Sequence, residues 1–383
     1  MKSIKVCAIT GSRAEYSIFY PVLLSLKSNK NISLKIITHG MHHSAFFGNT
    51  FQEIENDGFE ISFKAKTLDE RDSSISACLS SAQSIEKLSP YLEKLAPDIV
   101  LVVGDRYETH AAVLASLLLN IPIAHIHGGE ISMGAIDEQL RHSITKMSHL
   151  HFCSTEIYKK RLIQMGEHPQ TVFNVGAPAL DNIKNIKPYC RSEIQKRLNW
   201  PIPEKFALVT YHPETIDSKN IEKKINSILS ALVNMNMNAI FTYANADHGG
   251  KKINEIIELF CKNNPEKYKI VKNLGVKLYL SLMKICEVVI GNSSSGIIEA
   301  ATFYKPVINI GDRQNGRVKG LNIIDCSYNE IEKSYDFSKS EEFIKSIKTM
   351  KNPYGSGDSA QKITNILIEK KPKLKKIFYD INY

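Results

Sequence analysis

No CxxC pair, no HExxH string and no Walker loop occurs in this chain of 383 residues. The seven cysteines (Cys7, Cys78, Cys153, Cys190, Cys261, Cys286 and Cys326) are odd in number and widely spaced. That pattern points to reduced thiols in a cytoplasmic protein rather than a disulfide framework or a zinc knuckle. Long apolar runs are missing too. The most apolar stretch, 111–126, is broken by Asn120 and Pro122 and is too short for a membrane span. It reads as a buried helix, a turn and a buried strand. No secretory leader is expected, because Ile4-Lys5-Val6-Cys7-Ala8-Ile9 already reads as a core strand. Low-complexity tracts and short repeats are absent.

What is present suits two globular domains. Apolar residues make up 43% and charged residues 23%, enough to bury two sizeable cores. The net charge of +9 owes much to Lys370, Lys371, Lys373, Lys375 and Lys376. Aromatic residues do not interleave with these lysines as a base-stacking platform requires. The excess therefore reads as a solvated surface, and no nucleic-acid partner is expected.

Short apolar runs alternate with helical patterns. Strands are expected at 4–10, 34–38, 99–104, 121–126, 149–153 and 172–175, with helices at 16–28 and 109–119 between them. The second half repeats the rhythm, with strands at 206–211, 240–243, 288–290 and 307–310 and helices at 221–235 and 278–286. Continuous apolar strands indicate parallel sheets covered on both faces. Their alternation with helices is the mark of doubly wound α/β domains. The polar stretch 184–188 divides the halves. This gives a first domain over 1–185, a second over 186–358, and a final segment, 359–383, whose helix at 359–369 is expected to pack back on the first domain.

Ligands of such sheets bind beyond the carboxyl ends of the strands. The loop after the first strand, Thr10-Gly11-Ser12-Arg13, offers backbone N–H groups and a cation to an anion. An ordinary strand–helix turn with a surface arginine gives the same string. Asp105, Glu130 and Asp137 gather around strand ends of one domain, where neighbouring carboxylates push their pKa values apart and suit proton transfer. Each alone would read as a cap or a surface acid. His125, His127, Glu130 and His142 lack zinc spacing, so no metal is expected. His149 and His151 alternate on a strand and read as structural. In the second domain Gly291-Asn292-Ser293-Ser294-Ser295-Gly296 ends a strand and opens a helix, a phosphate-like element with more serines than one cap needs. Glu299, one turn on, suits ribose hydroxyls, and Arg313 suits phosphate or sugar.

Taken in order, TGSRAEY (from Thr10), GMH (from Gly40), GDRYE (from Gly104), HIHGGE (from His125), RHSITKMSHLH (from Arg141), HPET (from His212), GNSSSG (from Gly291) and INIGDRQNGR (from Ile308) resemble the hydrolysing UDP-N-acetylglucosamine 2-epimerases of bacterial sialic-acid synthesis. The resemblance implies two Rossmann-like domains arranged as in the GT-B glycosyltransferases, with the active site in the interdomain cleft. It implies conversion of UDP-GlcNAc to N-acetylmannosamine and UDP with inversion at C2, no organic cofactor, and a homodimer or homotetramer. By resemblance Arg13, Ser294, Ser295, Gly296, Glu299 and Arg313 fall at positions that hold the nucleotide. Asp105, Glu130 and Asp137 fall where proton-transferring acids are proposed, and His212 beside the diphosphate. His42, Arg106, His125 and Arg141 match motif positions without an assigned role; His42, Arg106 and Arg141 are placed with the substrate-binding set. Asn245 belongs to that set as well, although the segment departs from the family's Pro-Asn-x-Asp in carrying Ala244. Val103 stands where some members have histidine.

These residue types match the chemistry. Abstraction of a weakly acidic C2 proton needs a positioned base, and the departing diphosphate needs cations or N–H dipoles. Elimination, then addition of water with the C2 proton returned from the other face, requires acid–base groups on both faces. Within the same family, UDP- or GDP-linked N,N'-diacetylbacillosamine is an alternative substrate. A GT-B glycosyltransferase and a non-catalytic nucleotide-sugar sensor are the readings of another class.

Overall fold

The computed structural model describes residues 3–71, 73–133, 136–214, 220–244, 249–370, 372 and 374–381. They form two compact units. The first comprises Met1–Glu130, Ile136–Lys184 and Tyr354–Tyr383, and the second Ile131–Ala135 and Asn185–Pro353.

The first unit holds strands β1 (Ile4–Thr10), β2 (Ile32–Thr38), β3 (Phe63–Lys64), β4 (Ile99–Val103), β5 (Ile123–Ile126), β6 (Leu150–Cys153) and β7 (Val172–Asn174). They line up as 3-2-1-4-5-6-7, every neighbouring pair parallel. Its helices are α1 (Arg13–Ser28), α2 (Phe51–Asn56), α3 (Ser74–Leu95), α4 (Tyr107–Leu118), α5 (Asp137–Met147), α6 (Glu156–Gln164) and α7 (Ala179–Asn185). Alternation along β1 explains how both sheet faces become core. Val6 and Ala8 join one cluster with Phe19, Val22 and Leu26 of α1, and Cys7 and Ile9 join another with Leu88 and Leu92 of α3 and Ala112 and Val113 of α4.

The second unit runs α8 (Arg191–Leu198), β8 (Phe206–Thr210), α9 (Ile221–Asn234), β9 (Asn238–Thr242), α10 (Gly250–Asn263), β10 (Tyr268–Val271), α11 (Gly275–Ile285), β11 (Val288–Gly291), α12 (Ser294–Ile298), β12 (Val307–Ile310), β13 (Ile323–Cys326), α13 (Ile331–Ser338) and α14 (Glu341–Thr349). Its sheet, ordered 10-9-8-11-12-13, is parallel throughout. Ala207 and Val209 face α9 and α10, and Phe206 and Leu208 face α8 and α11.

The last helix, α15 (Ser359–Glu369), belongs to the first unit. Its Ala360, Ile363 and Leu367 enter the α1 cluster, Ser25 and Thr364 share a hydrogen bond of 2.7 Å, and Asp181 of α7 accepts from the N–H groups of Ser359 and Ala360. That carboxylate caps the helix N-terminus.

Both sheets are thus doubly wound, as the alternation of strands and helices indicates. The edge strands β3, β10 and β13 lie outside the expected set. They are partly exposed and carry polar residues (Lys269 in β10, Asp325 in β13), so no continuous apolar run announces them. The long helix α3 is also new, its pattern blurred by serines and by Pro90.

Candidate active site

Strand order reverses between β1 and β4 in the first unit and between β8 and β11 in the second. Doubly wound sheets take ligands beyond the carboxyl ends of the strands beside such switch points.

At the first switch point β1 ends in Thr10, and Ser12 caps α1 by accepting from the Glu15 N–H. Gly11 is obligatory here, since a Cβ would lie 2.9 Å from the Cβ of Glu108. Its N–H donates to Glu15 at 2.6 Å, and Thr109 donates to the other oxygen at 2.7 Å. Burial, then the neighbouring Glu108, push the Glu15 carboxyl up to about 7. Arg106 turns inward and pairs with Glu108 at 3.1 Å. His42 lies 3.0 Å from Thr10 Oγ1 and 2.8 Å from Thr50 Oγ1, and burial pushes it down to about 3, which leaves it neutral. Arg13, the first residue of α1, is half-buried.

The ends of β4, β5 and β6 carry a second polar cluster. Arg141, fully buried on α5, ties it together. Its guanidinium donates to the His127 carbonyl at 2.9 Å and to Asp105, and lies 3.8 Å from Glu130. Glu130 in turn sits 2.5 Å from His127 Nδ1 and accepts from Ser154 at 3.0 Å. Asp105 and Glu130 are therefore brought to one arginine. Asp137 opens α5, one helical turn before Arg141. His125 donates to the Gly104 carbonyl at 2.7 Å, and burial pushes it down to about 3, consistent with a structural imidazole.

In the second unit Asn292 spans the switch point. Its amide accepts from the His212 N–H at 2.7 Å and donates to the His212 carbonyl at 2.9 Å. Its own carbonyl accepts from Arg313 at 3.1 Å and Gln314 at 2.7 Å. This close approach demands glycine at 291, where φ is 133° and a Cβ would lie 2.0 Å from the Thr210 carbonyl oxygen. Ser293 caps α12, Ser294 opens it, and Ser295 donates to Glu299, whose carboxyl burial pushes up to about 7. Gly296 is buried against Val307 of β12. Glu214 accepts from Lys224 at 2.6 Å and from the Asp312 N–H at 3.0 Å, fixing the loop that carries Arg313. Asn245 lies outside the described residues.

Among the described residues no group of three or more His, Cys, Asp or Glu side chains is arranged for a metal ion, and no helix is long and apolar enough to cross a membrane. Sequence reasoning passed over Glu15, Glu108, Ser154, Asn292 and Gln314, and weighed His127 only as a metal ligand. All but Ser154 lie inside the motif strings, and only the fold shows which of them face the switch points.

The chain matches the family model described as UDP-N-acetylglucosamine 2-epimerase over residues 24–368. It is 44% identical to a GDP/UDP-N,N'-diacetylbacillosamine 2-epimerase (hydrolyzing) of Campylobacter jejuni, over 90% of this chain and 89% of that protein. It is 37% identical to polysialic acid biosynthesis protein P7 of Escherichia coli, over 98% and 97%. Its fold is similar to the crystal structure of a UDP-GlcNAc 2-epimerase from Neisseria meningitidis bound to UDP-GlcNAc, with TM-score 0.79, 18% identity and coverage of 96% and 100%.

Proposed function

Because the chain belongs to the UDP-N-acetylglucosamine 2-epimerase family, we propose that it is a hydrolysing 2-epimerase. It converts a nucleoside-diphospho 2-acetamido sugar into the free 2-epimer and the nucleoside diphosphate. The observation that carries the reaction class is the Asp105–Arg141–Glu130–His127 chain at the ends of β4 and β5, an acid–base array held by a buried arginine. In this reading Asp105, Glu130 and Asp137 serve the proton transfers at C2. Arg13, Ser294, Ser295, Glu299 and Arg313 hold the nucleotide, and His212 stands beside the diphosphate. The reaction needs no organic cofactor and no metal.

The sugar is N,N'-diacetylbacillosamine, a reading supported by the 44% identity to the Campylobacter protein. UDP-GlcNAc, giving N-acetylmannosamine, is the second reading. It is favoured by the Escherichia coli relative named for polysialic acid biosynthesis. The deciding experiment offers the pure enzyme UDP-GlcNAc, UDP-N,N'-diacetylbacillosamine and GDP-N,N'-diacetylbacillosamine in D₂O, with neither metal nor NAD added. One of the bacillosamine compounds should turn over fastest and release a free 2-epimer carrying deuterium at C2. Protium retained at C2 would sink elimination and addition. Turnover that waits for an acceptor sugar would identify a glycosyltransferase, and nucleotide binding without turnover a sensor.

A further inference from the structure

His127 closes the Asp105–Arg141–Glu130 chain but has been given no step of the reaction, and three independent features single it out. Its backbone lies in the left-handed region, with φ of 68°, a conformation that costs a residue with a Cβ and persists where the surroundings enforce it. The enforcement is visible. The His127 N–H donates to the Phe152 carbonyl at 2.9 Å, its carbonyl accepts from Arg141 at 2.9 Å, and its Nδ1 lies 2.5 Å from Glu130. The ring is thereby held by one nitrogen. The other, Nε2, is buried and has no hydrogen-bond partner among the described residues, on a side chain only 4% exposed. A buried polar atom left without a partner is costly unless something outside the chain completes it.

Glu130 has the opposite character. One of its oxygens receives the His127 ring and the Ser154 hydroxyl, and the other lies 3.8 Å from Arg141. A carboxylate can only accept, so its contact with the ring calls for a proton on Nδ1. The tautomer that suits this contact carries its proton on Nδ1 and its lone pair on Nε2. A carboxylate behind an imidazole fixes the tautomer and the orientation of the ring.

We propose that His127 is the group that takes the C2 proton, and that Glu130 serves this transfer as the positioning residue of that ring. This inference rests on the 2-epimerase reading. In the elimination Nε2 accepts the proton as the C2–H bond breaks, that electron pair becomes the C1=C2 bond, and the C1–O bond breaks with its electrons leaving on the diphosphate. The imidazolium then gives its proton to solvent. Return of a proton to C2 from the other face falls to another acid.

The left-handed backbone makes the test clean, because glycine and asparagine both tolerate it. His127→Asn keeps an N–H to meet Glu130 but has no basic nitrogen. Its kcat should fall at least about 10²-fold, the usual scale of a general base, with KM changed only a few-fold. His127→Gly leaves a ring-sized space, and added imidazole should restore turnover. Across imidazoles of differing basicity the rescued rate should rise with basicity, which filling a void would not produce. Glu130→Gln should lose activity without rescue. Deuterium incorporation by the wild-type enzyme decides the parent reading separately, so the variants bear on His127 alone. Near wild-type turnover in His127→Asn, or a rescue absent or indifferent to imidazole basicity, would overturn the assignment.

Discussion

At the scale of single residues, the candidate site is built of titratable groups whose surroundings decide their charge. Glu15 is the clearest case. Burial, followed by the charge of Glu108, raises its carboxyl from 4.5 to about 7, against donors from Gly11 and Thr109. Between these two values the folded chain keeps a proton that the unfolded chain has lost, so stability falls as pH rises through the window and levels off above it. Glu299, also raised to about 7 by burial, adds to the same slope. In Glu15→Gln the first contribution disappears. Melting temperatures taken from about pH 4.5 to about pH 7 should decline less steeply in the variant than in the wild type. Equal slopes would mean that Glu15 is ionised in the folded chain. Motif strings carried the sequence reading to loops at the carboxyl ends of the strands, where glycines, acids and arginines gather. They could not tell an inward side chain from an outward one. Arg106 turns to Glu108, Gly296 packs on Val307, and His127 in the same HIHGGE string as Glu130 passes for a spare zinc ligand until its ring is seen against that acid.

Among the elements, α5 carries two of the proposed site residues, Asp137 and Arg141. Its far end is held by a residue distant in sequence. Lys376 donates to the carbonyls of Thr145, Lys146 and Ser148 at 3.1, 2.9 and 2.7 Å and pairs with Glu167 at 2.6 Å. A cation on the last carbonyls satisfies acceptors that the helix itself cannot and complements its dipole. Although burial opposes it, His151, Lys146 and Lys376 hold Glu167 down at about 2. Lys376→Met keeps the apolar stem and removes the donor. It should cost about 1–3 kcal/mol and speed amide exchange in the last turn of α5. Unchanged exchange there would show that the helix end holds without it. No sequence pattern announces such a cap, because the lysine run from which it comes looks like solvated surface. The central strands, by contrast, are legible: burial on both faces imposes a continuous apolar run that few other structures need.

On the scale of the whole molecule, each unit is a doubly wound sheet with its candidate groups at the carboxyl ends of its strands, and strand–helix rhythm alone pointed to that architecture. The path of the chain is less legible. The first unit is discontinuous, and α15 supplies Ala360, Ile363 and Leu367 to the cluster around α1. Burial of a large aliphatic side chain contributes about 1.5–3 kcal/mol, so losing this helix removes much of the roughly 5–15 kcal/mol that keeps a domain folded. A chain ended after Pro353 should therefore lose cooperative melting of the first unit, followed by circular dichroism; a sharp transition of wild-type amplitude would show that α15 is dispensable. The same chain path sets a timetable during synthesis. A ribosome adding about 5–20 residues per second completes the strands of the first sheet, then spends on the order of 10–30 s on the second unit before α15 is made. Through that interval the nascent α1 face is an unfinished apolar surface, so the newborn protein passes through a stage at which chaperone capture competes with closure of its own core.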